Sequence, residues 1–178
     1  GFPVAFGTTV IPPTLDELVE RSDRVVRAEV VRTRCVWRGE GDDRYIATIV
    51  SLAIKEAIVG ETPDEIELEF YGGEIDGERY FVFGQTQFAE GDEDILFVSN
   101  QRSALTPLVR MMYGRYIVAA TEDGERFIAR SNGLPLASSV EIAEPMDAHA
   151  EEALNTLRAS SALTPEAFAT DIRAAAGR

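Results

Sequence analysis

The chain has 178 residues, of which 17 are Lys or Arg and 31 are Asp or Glu, so its formal net charge is −14. A chain of this length usually forms one domain, and its apolar content of 45% is typical of a folded protein. The negative charge opposes sequence-independent binding to nucleic acid and to anionic lipid surfaces, and no apolar run reaches the roughly 18–20 residues that cross a bilayer.

The first predicted element is a short helix over residues 15–22. Thr14 and Glu17 make a Thr-x-x-Glu capping box, in which each side chain satisfies a free backbone amide of the first turn. Leu15, Leu18 and Val19 fall on one helical face, which indicates packing against a core.

Three strands are predicted next. Residues 24–37 are mostly β-formers, and the alternation of apolar with charged side chains over residues 26–30 is typical of a half-buried strand. Residues 45–59 are apolar on both faces, as in a central strand or one that curls around a barrel. Residues 65–70 alternate Glu with apolar side chains, so this strand turns a row of carboxylates to water.

The middle of the chain predicts short strands joined by hairpins. Asp76-Gly77 suits the two positive φ angles of a type I′ turn before a predicted strand over 79–83. Residues 95–98 predict a short buried strand, and Asp123-Gly124 predicts a second hairpin turn. The strands of this second hairpin are residues 115–120 and 126–130, and a further strand is expected at 139–142.

The C-terminal part is predicted to be helical. Residues 148–158 indicate one helix, and Thr164-Pro165 is typical of an N-cap followed by Pro at the first helical position. We therefore expect one domain over 1–178, with a helix and a β-barrel in 14–143 and a C-terminal helical segment in 146–178. The expected class is mainly β with flanking helices (α+β), and two long early strands followed by shorter ones resemble an OB-like antiparallel barrel.

Few residues offer catalytic chemistry. His149 is the only His, so a serine-type triad would have to include it, and we interpret it as a solvated residue of a helix face. Cys35 lies among arginines that could activate a thiol, but burial as a small apolar side chain is the favoured interpretation. With one Cys and one His, the chain alone makes neither an internal disulfide nor a multi-histidine or Cys₂His₂ zinc site.

Oxygen-ligand and cofactor motifs are also weak. Asp92, Glu93 and Asp94 could offer oxygens to calcium, but the remaining ligands of an EF-hand loop are missing in register. No pair of acids stands out for glycoside hydrolysis. Because no Walker A, Gly-x-Ser-x-Gly or Gly-x-Gly-x-x-Gly motif occurs, we predict no catalytic residue, no metal site and no cofactor.

Aromatic side chains could form a stacking surface for single-stranded nucleic acid, as in OB barrels. The candidates are Trp37, Tyr71, Tyr80, Phe81, Phe83 and Tyr113, with a local basic patch of Arg34, Arg38, Arg110 and Arg115. The global charge opposes that patch, so we expect no nucleic-acid partner and place most of these aromatics in the core. The apolar run 108–113 is instead the best candidate for a protein contact, because Met and aromatic residues are enriched in interface cores. Burial in the barrel is the alternative for this run, and the predicted partner-binding residues are Trp37, Arg110, Met111, Met112 and Tyr113.

Short motifs in order cover most of the chain. They are residues 15–19 (LDELV), 22–23 (SD), 25–30 (VVRAEV), 56–60 (EAIVG), 72–74 (GGE), 88–98 (FAEGDEDILFV), 113–116 (YGRY), and 163–166 (LTPE) with Phe168. With these motifs the chain resembles a group of uncharacterised exported bacterial proteins, although that family usually has Lys where this chain has Val59. The resemblance implies an exported, OB-like module of unknown activity, periplasmic or extracellular, with its signal peptide already removed.

A more distant resemblance is to the inhibitor domain of tissue inhibitors of metalloproteinases. Those inhibitors chelate the protease zinc through an N-terminal Cys, whereas position 1 here is Gly. Inhibition by that mechanism is therefore not expected.

The function expected from the sequence is that of an exported binding module without catalysis, which contacts an unidentified ligand, with a protein as the first candidate. Two alternatives stay open: a hydrolase that uses carboxylates or Cys35, and a structural protein of the envelope. A hydrolase would have an activity that depends on cleft acids or on Cys35, and a structural protein would self-assemble.

Overall fold

A computed structural model describes residues 10–100, 106–146 and 159–177, and this part of the chain is mainly β. It contains two α-helices, α1 (Leu15–Glu20) and α2 (Pro165–Ala176). The strands are β1 (Arg24–Arg38), β2 (Tyr45–Val59), β3 (Glu65–Tyr71), β4 (Gly73–Ile75), β5 (Glu78–Tyr80), β6 (Glu93–Val98), β7 (Arg115–Ala120) and β8 (Arg126–Arg130). Short 3-10 helices lie at Gly41–Asp43, Met111–Gly114 and Ser139–Ala143. Within the described ranges, neither helix is long and apolar enough to cross a membrane.

Six strands form one antiparallel sheet in the order β3-β2-β1-β6-β7-β8, and β4 pairs with β5 in a separate hairpin. The expected central position of the second long strand is confirmed, because β2 lies between β1 and β3. No pairing joins the edge strands β3 and β8 in the part of the chain described, so a closed barrel is not shown.

The core lies on both faces of the sheet, because neighbouring residues of β1 and β6 are buried on opposite sides. One cluster includes Val25, Ile95 and Phe97 and is covered by side chains of both helices. The other includes Val26 and Leu96 and is completed by β2, β3 and the segment near residue 108. Burial on both faces explains why residues 95–98 are uninterruptedly apolar.

Both predicted helix starts are confirmed. The Thr14 side chain accepts a hydrogen bond from the Glu17 amide, and the Glu17 carboxylate accepts one from the Thr14 amide. Thr164 caps α2 in the same way, by accepting from the Ala167 amide. Helix α1 ends at Glu20, two residues before the expected end, and α2 buries Phe168 against the sheet. The helix predicted over 148–158, and His149 within it, lie outside the described residues.

Two predicted strand assignments are wrong. Residues 139–142 belong to a 3-10 helix, which the Ser138 hydroxyl caps by accepting from the Val140 amide. The strand predicted over 79–83 ends at Tyr80, which pairs with Gly73, the first residue of β4. The preceding residue, Gly72, does not extend this pairing because its amide donates to the Ile46 carbonyl of β2. Residues 81–83 therefore have no strand partner among the described residues.

Candidate functional site

Four aromatic rings meet where β1, β2, β3 and β5 come together, and we call them the aromatic cluster (Trp37, Tyr45, Tyr71 and Tyr80). Trp37 and Tyr80 meet edge to face at 6.2 Å between ring centroids, and Tyr71 contacts Tyr80 in the same manner at 6.3 Å. Tyr45 stacks on Tyr71 at 5.0 Å. The Arg44 guanidinium carbon lies 3.5 Å from the centroid of the Trp37 ring. All four rings are half-buried, so they present apolar surface to solvent.

The bend at Gly72-Gly73 brings Tyr71 and Tyr80 together. Both glycines have positive φ angles, 104° and 138°, that other residues rarely adopt. A Cβ on Gly73 would lie 2.7 Å from the Cys35 sulfur and 2.8 Å from the Thr48 hydroxyl oxygen, so only Gly lets the backbone approach this closely. The chain then turns through the β4–β5 hairpin, whose predicted type I′ turn is supported by positive φ at Asp76 and Gly77.

Residues 81–88, called here the 81–88 loop, follow this hairpin and border a cavity of about 430 Å³. We call this cavity the aromatic cleft. Its walls combine rings with polar side chains, among them Thr48, Phe70, Tyr71, Tyr80, Gln85 and Phe88. In this loop Phe81, which also lines the cavity, is 69% exposed and Phe83 is 76% exposed. Single exposed apolar residues are common on protein surfaces, but two neighbouring exposed phenylalanines beside a cleft are typical of an interaction site.

The 81–88 loop is held at several points although its phenylalanines are exposed. The Gln85 side-chain amide donates to the Tyr71 carbonyl at 2.6 Å, and Phe88 packs on Phe70 with 5.1 Å between ring centroids. The Arg115 guanidinium donates to the Gln87 carbonyl at 2.6 Å and lies 4.2 Å from the Phe88 ring centroid. The exposed residues are therefore carried by a loop whose position is fixed by the sheet.

A buried ion pair orients Arg115. Its Nε donates to Asp94 Oδ1 at 3.0 Å, and its Nη2 donates to Asp92 Oδ2 at 3.2 Å. The Asp94 side chain is fully buried, and burial raises the pKa of Asp94 to about 6 against the opposing effect of Arg115. Asp92 and Glu93 act in the same direction as burial by charge repulsion.

The structure divides the predicted partner-binding residues. Trp37 belongs to the aromatic cluster, whereas Tyr113 is buried and its hydroxyl accepts from the Met146 amide. Arg110 and Met111 both have a φ of 55°, and with Met112 they are half-buried. The Met111 Cε lies 3.9 Å from where a Cβ on Gly84 would stand, so Met111 is close to the 81–88 loop.

Phe81 and Phe83 lie in the part of the predicted strand 79–83 that is not a strand, and both are exposed although most of the aromatic candidates are expected in the core. Residues 81–83 are a short run of β-forming apolar residues, and this composition resembles that of a buried strand. The signal that was available is Gly84 directly after them, because a glycine beside a short apolar run is typical of a loop.

The arginines of the predicted basic patch are largely neutralised. Arg34 pairs with Glu67 and Arg38 pairs with Glu69 across β2, and Arg115 pairs with Asp94. The Arg110 Nε is buried without a partner within the described residues. These side chains form no continuous basic groove.

The candidate catalytic and calcium-binding groups are also engaged. The Cys35 sulfur is 3.5 Å from the Thr48 hydroxyl, beneath Gly73. Glu93 accepts from Arg27 and Arg126, while Asp92 and Asp94 both accept from Arg115. Over the ranges described, no group of three or more His, Cys, Asp or Glu side chains is arranged to hold a metal ion.

Comparison of the sequence with protein-family models matches no family, and comparison with curated proteins finds no similar protein. The function is therefore argued from the geometry of the aromatic cleft and its loop.

Proposed function

We propose that this protein is an exported, non-catalytic binding module whose aromatic cleft and exposed phenylalanines bind a protein partner. One observation carries the proposal: Phe81 and Phe83 are 69% and 76% exposed on a loop that Gln85 and Arg115 fix to the sheet. Binding energy at protein interfaces is concentrated in a few aromatic anchors. Anchors that are already positioned lose less conformational freedom when the partner binds.

The surroundings of the two phenylalanines favour the same function. Gln85 Oε1 and Thr86 Oγ1 are buried without a hydrogen-bond partner in the described part of the chain, and both residues line the cleft. An unsatisfied buried acceptor costs about 1–3 kcal/mol, so the lining of the cleft is not arranged for stability alone. Loops on a rigid sheet are also where binding residues are concentrated.

The finer architectural proposal is that the sheet belongs to an OB-like fold. It is supported by the two long strands, the antiparallel order and the bulge at Val31, where the register of β1 against β2 shifts between Val30 and Arg32. Bulges of this kind let a long strand bend. OB folds bind their ligands through one face of the barrel and the adjoining loops, and we propose that the aromatic cleft corresponds to that face. The exported location rests on the family resemblance.

The test is selection of binders from a random dodecapeptide library displayed on phage. We expect peptides enriched on the wild-type protein to lose binding to the double variant Phe81→Ser/Phe83→Ser. Val140→Ser is the matched control, since Val140 is 82% exposed and lies in the 3-10 helix at Ser139–Ala143. Peptides that bind the double variant as well as the wild type, or no enrichment at all, would refute the proposal.

A further inference from the structure

We infer that the partner of the aromatic cleft is a basic protein segment, one of whose cationic side chains stacks on Trp37 in the place that Arg44 occupies. This inference rests on the proposed function and names the chemistry of the partner. It is carried by the charges around the aromatic cluster and by the contact between Arg44 and Trp37.

Two acidic turns flank the aromatic cluster. The β1–β2 turn, which joins Trp37 to Tyr45, carries three exposed acids, and the β4–β5 hairpin, which ends at Tyr80, carries two more beyond Glu74. These five acids are Glu40, Asp42, Asp43, Asp76 and Glu78. The basic side chains nearby are already engaged, because Arg38 pairs with Glu69 and Arg79 pairs with Glu74. Acids are therefore in excess where a partner would approach.

Arg44 shows what the Trp37 ring accepts. Its guanidinium carbon lies 3.5 Å from the ring centroid, which is a close cation–π contact. Arg44 is exposed and follows the 3-10 helix at Gly41–Asp43, so its side chain can leave the ring without disturbing the core. A partner's Arg or Lys can then take the same position, while its apolar side chains contact Phe81 and Phe83.

The net charge of the protein favours some binding partners of the cleft over others. A charge of −14 attracts a cationic segment over long range and repels a second copy of this chain or an anionic polymer. A neutral peptide would gain the contacts with the phenylalanines but not the electrostatic attraction. The basic segment is the occupant that both the rings and the field favour.

The test uses three synthetic dodecapeptides with the same central Leu-Phe anchor, flanked by Arg, by Gln or by Glu. Trp37 is the only Trp of the chain, so its fluorescence reports binding at this site without a label. We expect the Arg peptide to bind about tenfold more tightly than the Gln peptide at low salt, and the difference to shrink as salt screens the charges. We expect the Glu peptide not to bind.

Two variants separate local attraction from the overall charge. We expect Asp42→Asn/Asp43→Asn/Asp76→Asn to weaken binding of the Arg peptide about tenfold, and Asn is compatible with the positive φ of 52° at Asp76. The matched control, Glu122→Gln/Asp123→Asn/Glu125→Gln, removes three acids from the β7–β8 turn at the other side of the sheet and should change it less than about twofold. Arg44→Ala should tighten the binding, whereas Arg32→Ala, which makes the same charge change elsewhere, should not.

The outcomes distinguish the inference from the proposed function. Equal binding of the Arg and Gln peptides, lost in Phe81→Ser/Phe83→Ser, would overturn the inference and leave the binding module standing. Equal weakening by the two triple variants would also overturn it, because attraction would then come from the overall charge. Failure of all three peptides would contradict the inference, and the phage selection would decide the proposed function separately.

Discussion

Two groups of aromatic rings in this protein pack at the same spacing but differ in what covers them. On the helix side, Phe97, Tyr116 and Phe168 lie 5.0 to 6.3 Å apart and are at most 1% exposed. The aromatic cluster has centroid distances of 5.0 to 6.3 Å as well, yet its rings are half-buried and lead to the exposed Phe81 and Phe83. Helix α2 closes the first group, and no described element closes the second. The same side-chain chemistry thus stabilises the fold in one place and is available for recognition in the other.

The largest expected effect is on the helix-side rings. Phe168→Ala should lower the free energy of unfolding by about 3–5 kcal/mol, because it removes a fully buried ring and leaves a cavity between α2 and the sheet. Urea denaturation followed by circular dichroism measures this loss. A loss below about 1 kcal/mol, which is typical of surface positions, would mean that α2 does not close the core.

The next largest effect concerns the buried ion pair that holds the 81–88 loop. Arg115→Met should cost about 3 kcal/mol at pH 8, because it leaves the Asp94 carboxylate buried without its partner. The cost should be smaller at pH 5, where Asp94 with its pKa of about 6 is mostly protonated. The double variant Asp94→Leu/Arg115→Met is the control and should regain most of the stability. An equal cost at both pH values would contradict the assignment of the pair.

Asp94 should also affect how stability depends on pH, with a sign opposite to that of Glu56. Burial raises the pKa of Asp94 from 3.8 to about 6, so the folded state holds its proton more tightly than the unfolded state. Its contribution therefore makes the protein more stable as the pH falls from about 6 to 3.8 and less stable as the pH rises through this window.

Glu56 should have the opposite effect on stability. Burial alone would raise the pKa of Glu56, but hydrogen bonds from Arg173 and Arg27 lower it. The stabilising contribution of Glu56 is therefore lost as the pH falls and the carboxylate is protonated. The measurement is the difference in unfolding free energy between wild type and Asp94→Asn from pH 7 to pH 4. If that difference is independent of pH, Asp94 does not titrate as described.

The smallest effect on stability is expected at the exposed phenylalanines. Phe81→Ser/Phe83→Ser should change the free energy of unfolding by less than about 0.5 kcal/mol per site, because both rings are already largely in water. Thermal unfolding monitored by calorimetry tests this. A loss of several kcal/mol would show that the two rings belong to the core, and the difference between the two aromatic groups would disappear.

Local sequence patterns sufficed for most of the fold. The Thr14–Glu17 capping box, the Thr164 cap and the long strands β1 and β2 depend on neighbouring residues or on runs of β-forming residues, and all are present. The hairpin turn at Asp76-Gly77 has the expected positive φ angles because few residues tolerate them. These features are decided within a few residues of chain.

The site depended on contacts that no local pattern contains. Arg115 reaches Gln87 and Asp94 across more than twenty positions of sequence, and Tyr71 meets Tyr80 only because Gly73 fits against Cys35 and Thr48. Residues 81–83 are β-forming apolar residues that could continue a strand, and the end of their partner β4 at Gly73 decides that they are a loop. Trp37 stays a predicted contact residue, half-buried in the aromatic cluster, while Phe81 and Phe83 cannot be separated from core residues by sequence alone.

We propose the aromatic cleft, rather than the apolar run 108–113, as the binding surface. This proposal is tested most directly by ¹H–¹⁵N chemical-shift mapping of the full chain with a peptide selected on the wild-type protein. We predict the largest shifts at the Trp37 indole N–H and along residues 71–88, with little change at residues 163–177 of the α2 region. Shifts concentrated at residues 108–114 or on α2, with Trp37 unchanged, would contradict it.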